Sequence, residues 1–253
     1  MSRPVAFVTG ASRGIGLACA EALANEGFDL FVADLAPQPS HELAQRIDTA
    51  GATLLYRQAD ISEIETHDML SSTCVDRLGP IACLVNNAGI GAPVRGDLLG
   101  LQPENFDKVM NTNLRGTVFL TLSVVRQMLA QPAEHARSVV TITSVSADMA
   151  SPERSDYCMS KAALSMWVKN LAVRLAAENI GVFEVRPGII RTDMTAGAAT
   201  KYDKLIAEGL VPASRWGEAS DIGAAVATLA CGKLGFATGS ILNLDGALSV
   251  PRL

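Results

Sequence analysis

Val5-Ala6-Phe7-Val8-Thr9-Gly10-Ala11-Ser12-Arg13-Gly14-Ile15-Gly16 is the stretch that decides the fold. Its first five residues form an uninterrupted apolar run closed by a threonine, which predicts a strand buried on both faces, since a half-wetted strand would alternate. Glycines 10, 14 and 16 allow a tight turn, and a helical period starts at Gly14 and runs to 26. The rest of the chain repeats this alternation. Apolar runs at 30–33, 53–56, 81–86, 138–143, 182–186 and 240–244 are separated by helical patterns at 41–50, 63–78, 103–130, 157–179 and 219–230. Buried strands joined by right-handed helical crossovers give an α/β fold, a doubly wound parallel sheet of Rossmann type with about seven strands in a single domain spanning 1–253. The stretch 192–215 breaks the period, is polar and Ala/Gly-rich, and follows a strand's carboxyl end, where open α/β sheets bind ligands; it reads as a substrate lid.

Composition narrows the function. Of 253 residues, 49% are apolar and 19% charged, which excludes a disordered chain, and a net charge of -5 argues against a nucleic-acid surface. No stretch of about 20 largely apolar residues is present to span a membrane, and the N-terminus lacks a signal-peptide cleavage pattern, so a cytoplasmic protein is expected. The five cysteines are scattered without a C-x-x-C pair, and His41, His67 and His135 fall at no metal-ligand spacing; reduced thiols and no metal are expected.

A glycine turn between a first strand and a helix suits a pyrophosphate, which approaches the bare backbone and sits on the helix N-terminus. The Gly-Lys-Ser/Thr ending of a nucleoside-triphosphate loop is missing. About 20 residues further on, the second strand ends at Asp34, where a carboxylate accepts hydrogen bonds from the adenosine ribose and repels a 2′-phosphate. That favours NAD. Arg13 pulls towards NADP, because a guanidinium in the turn reaches a 2′-phosphate, but Asp34 ends the strand that sets this choice. Farther along, Tyr157 and Lys161 stand at i and i+4 on one helix face, where an ammonium would lower the phenol's pKa from about 10 and make it an acid or base near neutrality. Ser144, read as the end of a strand, is placed to donate to a developing alkoxide. Strand alternation sets Ser146 on the same face as an assistant.

Taken together these residues resemble the short-chain dehydrogenase/reductase family from end to end. The resemblance is carried by Thr9-Gly10-x-x-x-Gly14-x-Gly16, Asn86-Asn87-Ala88-Gly89, the tetrad Asn113, Ser144, Tyr157 and Lys161, Pro187-Gly188-Ile189-Ile190-Arg191-Thr192, and Asp245-Gly246-Ala247. It implies that Tyr157 is the general acid/base, that Lys161 binds the nicotinamide ribose, that Ser144 orients the reacting oxygen and that Asn113 holds a water linking Lys161 to solvent. Asn87, Ala88 and Gly89 would line the adenosine-ribose side, Asp60 and Ile61 would lie near the adenine, and Ile190 and Thr192 would fix the carboxamide. Gly10, Ser12, Arg13, Gly14, Ile15, Gly16, Pro187 and Gly188 complete the implied cofactor contacts. Asn86 and Asp245 read as structural, with Gly246 permitting a turn. A homotetramer built through two long helices is also implied.

Within the family the chain is similar to the 3-oxoacyl-carrier-protein reductase-like branch, through Tyr202-Asp203, Arg215-Trp216-Gly217 and Pro251-Arg252-Leu253. Reductases of that branch generally use NADPH, which Asp34 disfavours. An acidic carrier protein would want a basic rim, for which Arg95, Arg154, Arg191 and Lys201 are candidates. The reading preferred from sequence is therefore NAD-linked interconversion of a secondary alcohol and a ketone, with a sugar- or polyol-like substrate suggested by the polar stretch 195–202. NADPH-linked 3-oxoacyl reduction is the alternative. A non-enzymatic NAD-binding sensor is a third reading, disfavoured by the intact tetrad.

Overall fold

The computed structural model describes residues 2–252. Met1 and Leu253, the last residue of the closing Pro251-Arg252-Leu253 triplet, lie outside them. Strands β1 (Val5–Thr9), β2 (Asp29–Asp34), β3 (Leu54–Gln58), β4 (Ile81–Asn86), β5 (Arg137–Ile142), β6 (Ile180–Pro187) and β7 (Ile241–Leu244) form one parallel sheet in the order β3-β2-β1-β4-β5-β6-β7. Every residue of β1, β4 and β6 is buried, which suits the apolar runs of β1 and β4 and holds in β6 even for Glu184 and Arg186. Alternation divides the core. Ala6 and Val8 of β1 face α1 (Gly14–Asn25), α2 (His41–Thr49) and α9 (Ala219–Ala230), through Leu17, Leu23, Leu43, Ile47 and Val226. Val5 and Phe7 face the opposite layer, α3 (His67–Leu78), α5 (Thr117–Ala130) and α6 (Ser155–Leu175), through Leu70, Val124, Val168 and Leu171. The order reverses between β1 and β4, which opens a crevice at their carboxyl ends.

Three local readings are corrected. The helical pattern 103–130 is not one α-helix: α4 (Pro103–Val109) passes through a π-helical turn, Met110–Gly116, into α5. Tertiary contacts force the wide turn. Asn113 bonds to both main-chain groups of Ile90, and Gly116 presses so closely on the Ile61 carbonyl that a Cβ there would lie 2.4 Å from its oxygen. Next, β5 stops at Ile142, and Ser144 caps a short 3-10 turn, Val145–Ala147, instead of ending a strand. Ser144 Oγ accepts the Ser146 N–H at 3.1 Å, so strand alternation does not relate these two serines. Finally, the stretch 192–215, expected to be irregular, contains two helices. Thr192 and Thr195 form a capping box for α7 (Asp193–Ala196), and α8 (Ala199–Ala207) follows, burying Ile206 against Val211 and Trp216. No helix among the described residues is long and apolar enough to cross a membrane.

Candidate active site

The crevice is built by stitching β1 to β4. Thr9 Oγ1 accepts the N–H groups of Asn87 and Ala88, each at 3.0 Å, and Asn87 Nδ2 donates to the Thr9 and Gly10 carbonyls at 3.0 and 2.8 Å. Only glycine fits two of the turn positions. Gly10 has φ +67 with Ala88 Cα against it, and a Cβ on Gly16 would lie 2.0 Å from the Gly10 oxygen. The residue before α1, Arg13, gives the helix no side-chain cap, leaving its first N–H groups open to an anion. Thr192, from beyond β6, reaches to within 3.6 Å of where a Gly14 Cβ would stand. Arg13 pairs at 3.2 Å with Asp193, both exposed, linking the turn to α7.

Asp34 ends β2 facing this turn. Its carboxylate accepts the Ser12 N–H at 2.9 Å and the Ala36 N–H at 3.0 Å, so it both shapes its own loop and points at the glycine turn. Asp60 takes the Ser62 N–H at 2.8 Å, and buried Ile61 accepts from His67 at 2.9 Å. Pro187 closes β6, and Gly188 donates to the Leu244 carbonyl at 3.0 Å with the Asp245 backbone against it. Ile190 is buried and bridges to Gly217, while its carbonyl accepts from Thr195 Oγ1 at 2.7 Å. Ile15 packs on the core layer beneath the turn. Asn86 donates to Thr121 and Thr141, and Asp245 takes the Ala247 and Ser249 N–H groups; both serve the framework. Glycines, an open helix N-terminus and a carboxylate held against the glycine turn together fit a dinucleotide. No His/Cys/Asp/Glu group among the described residues is arranged to hold a metal ion.

The four residues of the tetrad converge beyond the crevice. Lys161 Nζ lies 5.7 Å from the Tyr157 ring centre and donates to the Ile142 carbonyl at 3.0 Å. A Cβ on Gly89 would stand 3.1 Å from Asn113 Oδ1 and 3.8 Å from Lys161 Nζ, which places these three together. Asn113 Nδ2 also donates to Ser160 Oγ, and Ser160 to the Tyr157 carbonyl, so the π-helical turn is tied to α6. Burial pushes the Lys161 ammonium down to about 8, against an upward pull from Glu184. The Tyr157 phenol departs from expectation: burial raises it, and it is pulled back first by a hydrogen bond with Ser144, then by the charge of Arg154 and least by that of Arg95. Helical spacing gives proximity of tyrosine and lysine but not the direction of the ammonium, which is held by Ile142.

Two functional neighbours escape the sequence reading. Glu184 and Arg186 sit fully inside β6 and pair at 2.6 Å; Glu184 also accepts from Thr143 at 2.7 Å and Ser165 at 2.8 Å, and Arg186 reaches Asp148. A signal is present, since two opposite charges two apart in an otherwise apolar strand share a face and must pair. The proposed basic rim is not one surface. Arg191 stacks on Trp216 at 4.8 Å, whereas Arg154 lies over Tyr157 at 5.4 Å.

A sequence model described as short chain dehydrogenase matches residues 4–203. The chain belongs to the short-chain dehydrogenases. It is an oxidoreductase of that family, acting on CH–OH groups with NAD or NADP. The 3-oxoacyl-acyl-carrier-protein reductase of Haemophilus influenzae is 34% identical over 249 residues, covering 98% of this chain and 99% of that one. A crystal structure of a 3-oxoacyl-acyl-carrier-protein reductase from Brucella melitensis in complex with NAD is 54% identical, covers 100% of both chains and superposes with a TM-score of 0.97. A gluconate 5-dehydrogenase from Burkholderia cenocepacia in complex with NADP and tartrate is 28% identical, with a TM-score of 0.90 over 100% of this short-chain dehydrogenase and 97% of that chain.

Proposed function

We propose that this short-chain dehydrogenase reduces the ketone of a 3-oxoacyl compound with NADH, and runs the reverse oxidation, with Tyr157 as the proton carrier. The observation that carries the reading is the convergence of Tyr157, Ser144 and Lys161 beside a crevice whose glycine turn faces Asp34. When bound, the nicotinamide supplies or accepts the hydride. Tyr157 gives its hydroxyl proton to the carbonyl oxygen in reduction and takes it back in oxidation. Ser144 Oγ donates a hydrogen bond to the same oxygen. The Lys161 ammonium holds the ribose and stabilises the phenolate left behind. Asn113 spends its side chain on Ile90 and Ser160 and so ties the loop after β4 and the π-helical turn to α6.

The relatives named as 3-oxoacyl reductases support this substrate over a polyol. The polar stretch 195–202, which suggested a polyol, is accounted for by helix formation: Tyr202 meets Trp216 edge-on at 5.7 Å, and Asp203 accepts from the Trp216 indole at 2.7 Å. NAD is supported by the Asp34 carboxylate and by the NAD held in the Brucella relative. Kinetics with acetoacetyl-CoA and either coenzyme test both points. NADH is expected to be the better donor, and Asp34→Ala is expected to move the NADH/NADPH ratio of kcat/KM towards NADPH by roughly 100-fold, the effect of removing a like charge facing the 2′-phosphate. A wild-type enzyme that prefers NADPH would sink the Asp34 assignment. The half-exposed Phe119 of α5 and the exposed Met166 and Val173 of α6 support a tetramer packed through these helices. Light scattering is expected to give four times the 26.6 kDa chain mass; a 26.6 kDa species would remove this proposal.

A further inference from the structure

Two arginines near Tyr157 make no ion pair among the described residues. Arg154 ends the short turn Pro152–Arg154 just before α6, and its guanidinium lies 5.4 Å from the Tyr157 ring centre. Arg95 comes from the loop after β4, which is fastened to that same turn by a hydrogen bond from the Gly96 N–H to the Glu153 carbonyl at 3.2 Å. A second short turn in this loop, Leu98–Gly100, packs against Pro152–Arg154. Two separate segments thus bring an arginine each towards the proton carrier, Arg154 over its ring and Arg95 exposed on the loop fastened to the same turn. Among the described residues neither has a carboxylate within ion-pair distance, whereas Arg186, Arg13 and Arg215 are all paired. Asp148 is engaged with Arg186 and Asp193 with Arg13, Asp97 and Asp156 accept main-chain N–H groups of Leu99 and Tyr157, and Glu153 is exposed; none of them pairs with Arg95 or Arg154 among the described residues. The charge of both arginines is also felt at the Tyr157 phenol, which each pulls downward.

A guanidinium offers a planar fork of donors that matches a carboxylate with two parallel hydrogen bonds. Placed beside the residue that protonates the ketone oxygen, such a fork reaches an anionic group close to the reacting carbon, not one at the far end of a long carrier arm. We infer that Arg95 and Arg154 recognise a free carboxylate next to the ketone, so that the site takes a short 3-oxo carboxylate and its 3-hydroxy counterpart. This rests on the ketone-reductase reading above and narrows its substrate. The carboxylate is untouched by the reaction: hydride from NADH adds to the ketone carbon, the Tyr157 proton adds to its oxygen, and NAD⁺ and the alcohol leave.

The test compares acetoacetate, acetoacetyl-CoA and the uncharged 4-hydroxybutan-2-one with NADH, in the wild-type enzyme and in Arg154→Ala and Arg95→Ala/Arg154→Ala. The wild type is expected to prefer acetoacetate to the neutral ketone by roughly 100-fold in kcat/KM, on the scale of a desolvated charge pair. That preference should fall about tenfold in the single variant and be lost in the double, beyond any loss common to both substrates. Because the readout is a ratio within one protein, a change in Tyr157 acidity cancels, and a thermal melt checks that the variants fold. An unchanged preference in the double variant overturns the inference. So does turnover of acetoacetyl-CoA without turnover of acetoacetate, a result that leaves the ketone-reductase reading standing. No turnover of any of the three compounds, with NADH binding intact, overturns the reading and the inference together.

Discussion

Replacing Tyr157 by phenylalanine is expected to lower kcat by about 10²–10⁴-fold while NADH still binds, the range expected when a positioned general acid is removed. The substitution deletes one hydroxyl and keeps the ring, so the packing of Arg154 over its face and of Lys161 at 5.7 Å is retained. Ser144 cannot take over. It is a hydrogen-bond donor, and its Oγ already accepts the Ser146 N–H. The pH dependence of the wild type carries a second signature. Oxidation needs the phenolate, and burial raises the Tyr157 pKa, so the oxidation rate climbs as pH rises into the alkaline range. Arg154 pulls that pKa down, so its removal is expected to shift the climb to higher pH. Single-turnover absorbance of NADH and titration of its binding separate chemistry from affinity. A Tyr157→Phe enzyme that retained a tenth of wild-type turnover would remove Tyr157 from its role.

The sheet was legible because a parallel strand covered on both faces reads as a near-continuous apolar run, which β1 and β4 keep up to their last residue and β6 keeps apart from the paired Glu184 and Arg186. The glycine turn was legible for a related reason, since Gly10 and Gly16 occupy positions where any Cβ meets backbone. Features set by distant contacts were not. The π-helical turn follows from Asn113 meeting Ile90 and Gly116 meeting Ile61, partners that no local period encodes. The lid reads as irregular because Gly197 and Gly209 flank a helix of only nine residues that buries Ile206 alone. The Tyr157 pKa escapes the sequence for the same physical reason. Spacing on α6 fixes which residues are neighbours, but burial and the arginines of two other segments decide the sign of the shift.

Glu184 is where the same distinction has its largest consequence for stability. Its carboxylate is fully buried and joins β6 to α6 through Ser165, one turn beyond Lys161, and to Thr143, the residue before Ser144. Glu184→Ala would leave Arg186 buried with only Asp148 and Ser165 to answer its charge. Breaking a buried pair from one side costs about 3–5 kcal/mol when the surviving ion is left with an uncompensated desolvation penalty, and Asp148 keeps the loss here towards the lower end of that range. Replacing both ions by apolar residues of similar size, as in Glu184→Leu/Arg186→Met, removes that penalty, so the double variant is expected to recover most of the loss in urea unfolding. The active site should register the change independently of stability. Burial lowers the Lys161 ammonium to about 8 even with Glu184 pulling it upward, so Glu184→Gln is expected to move the loss of Lys161 charge to lower pH. NADH binding in that variant should therefore weaken at a lower pH than in the wild type, where it weakens as pH rises through about 8. If the double variant is no more stable than Glu184→Ala, the buried pair is not what holds β6 to α6, and the cost lies in packing instead.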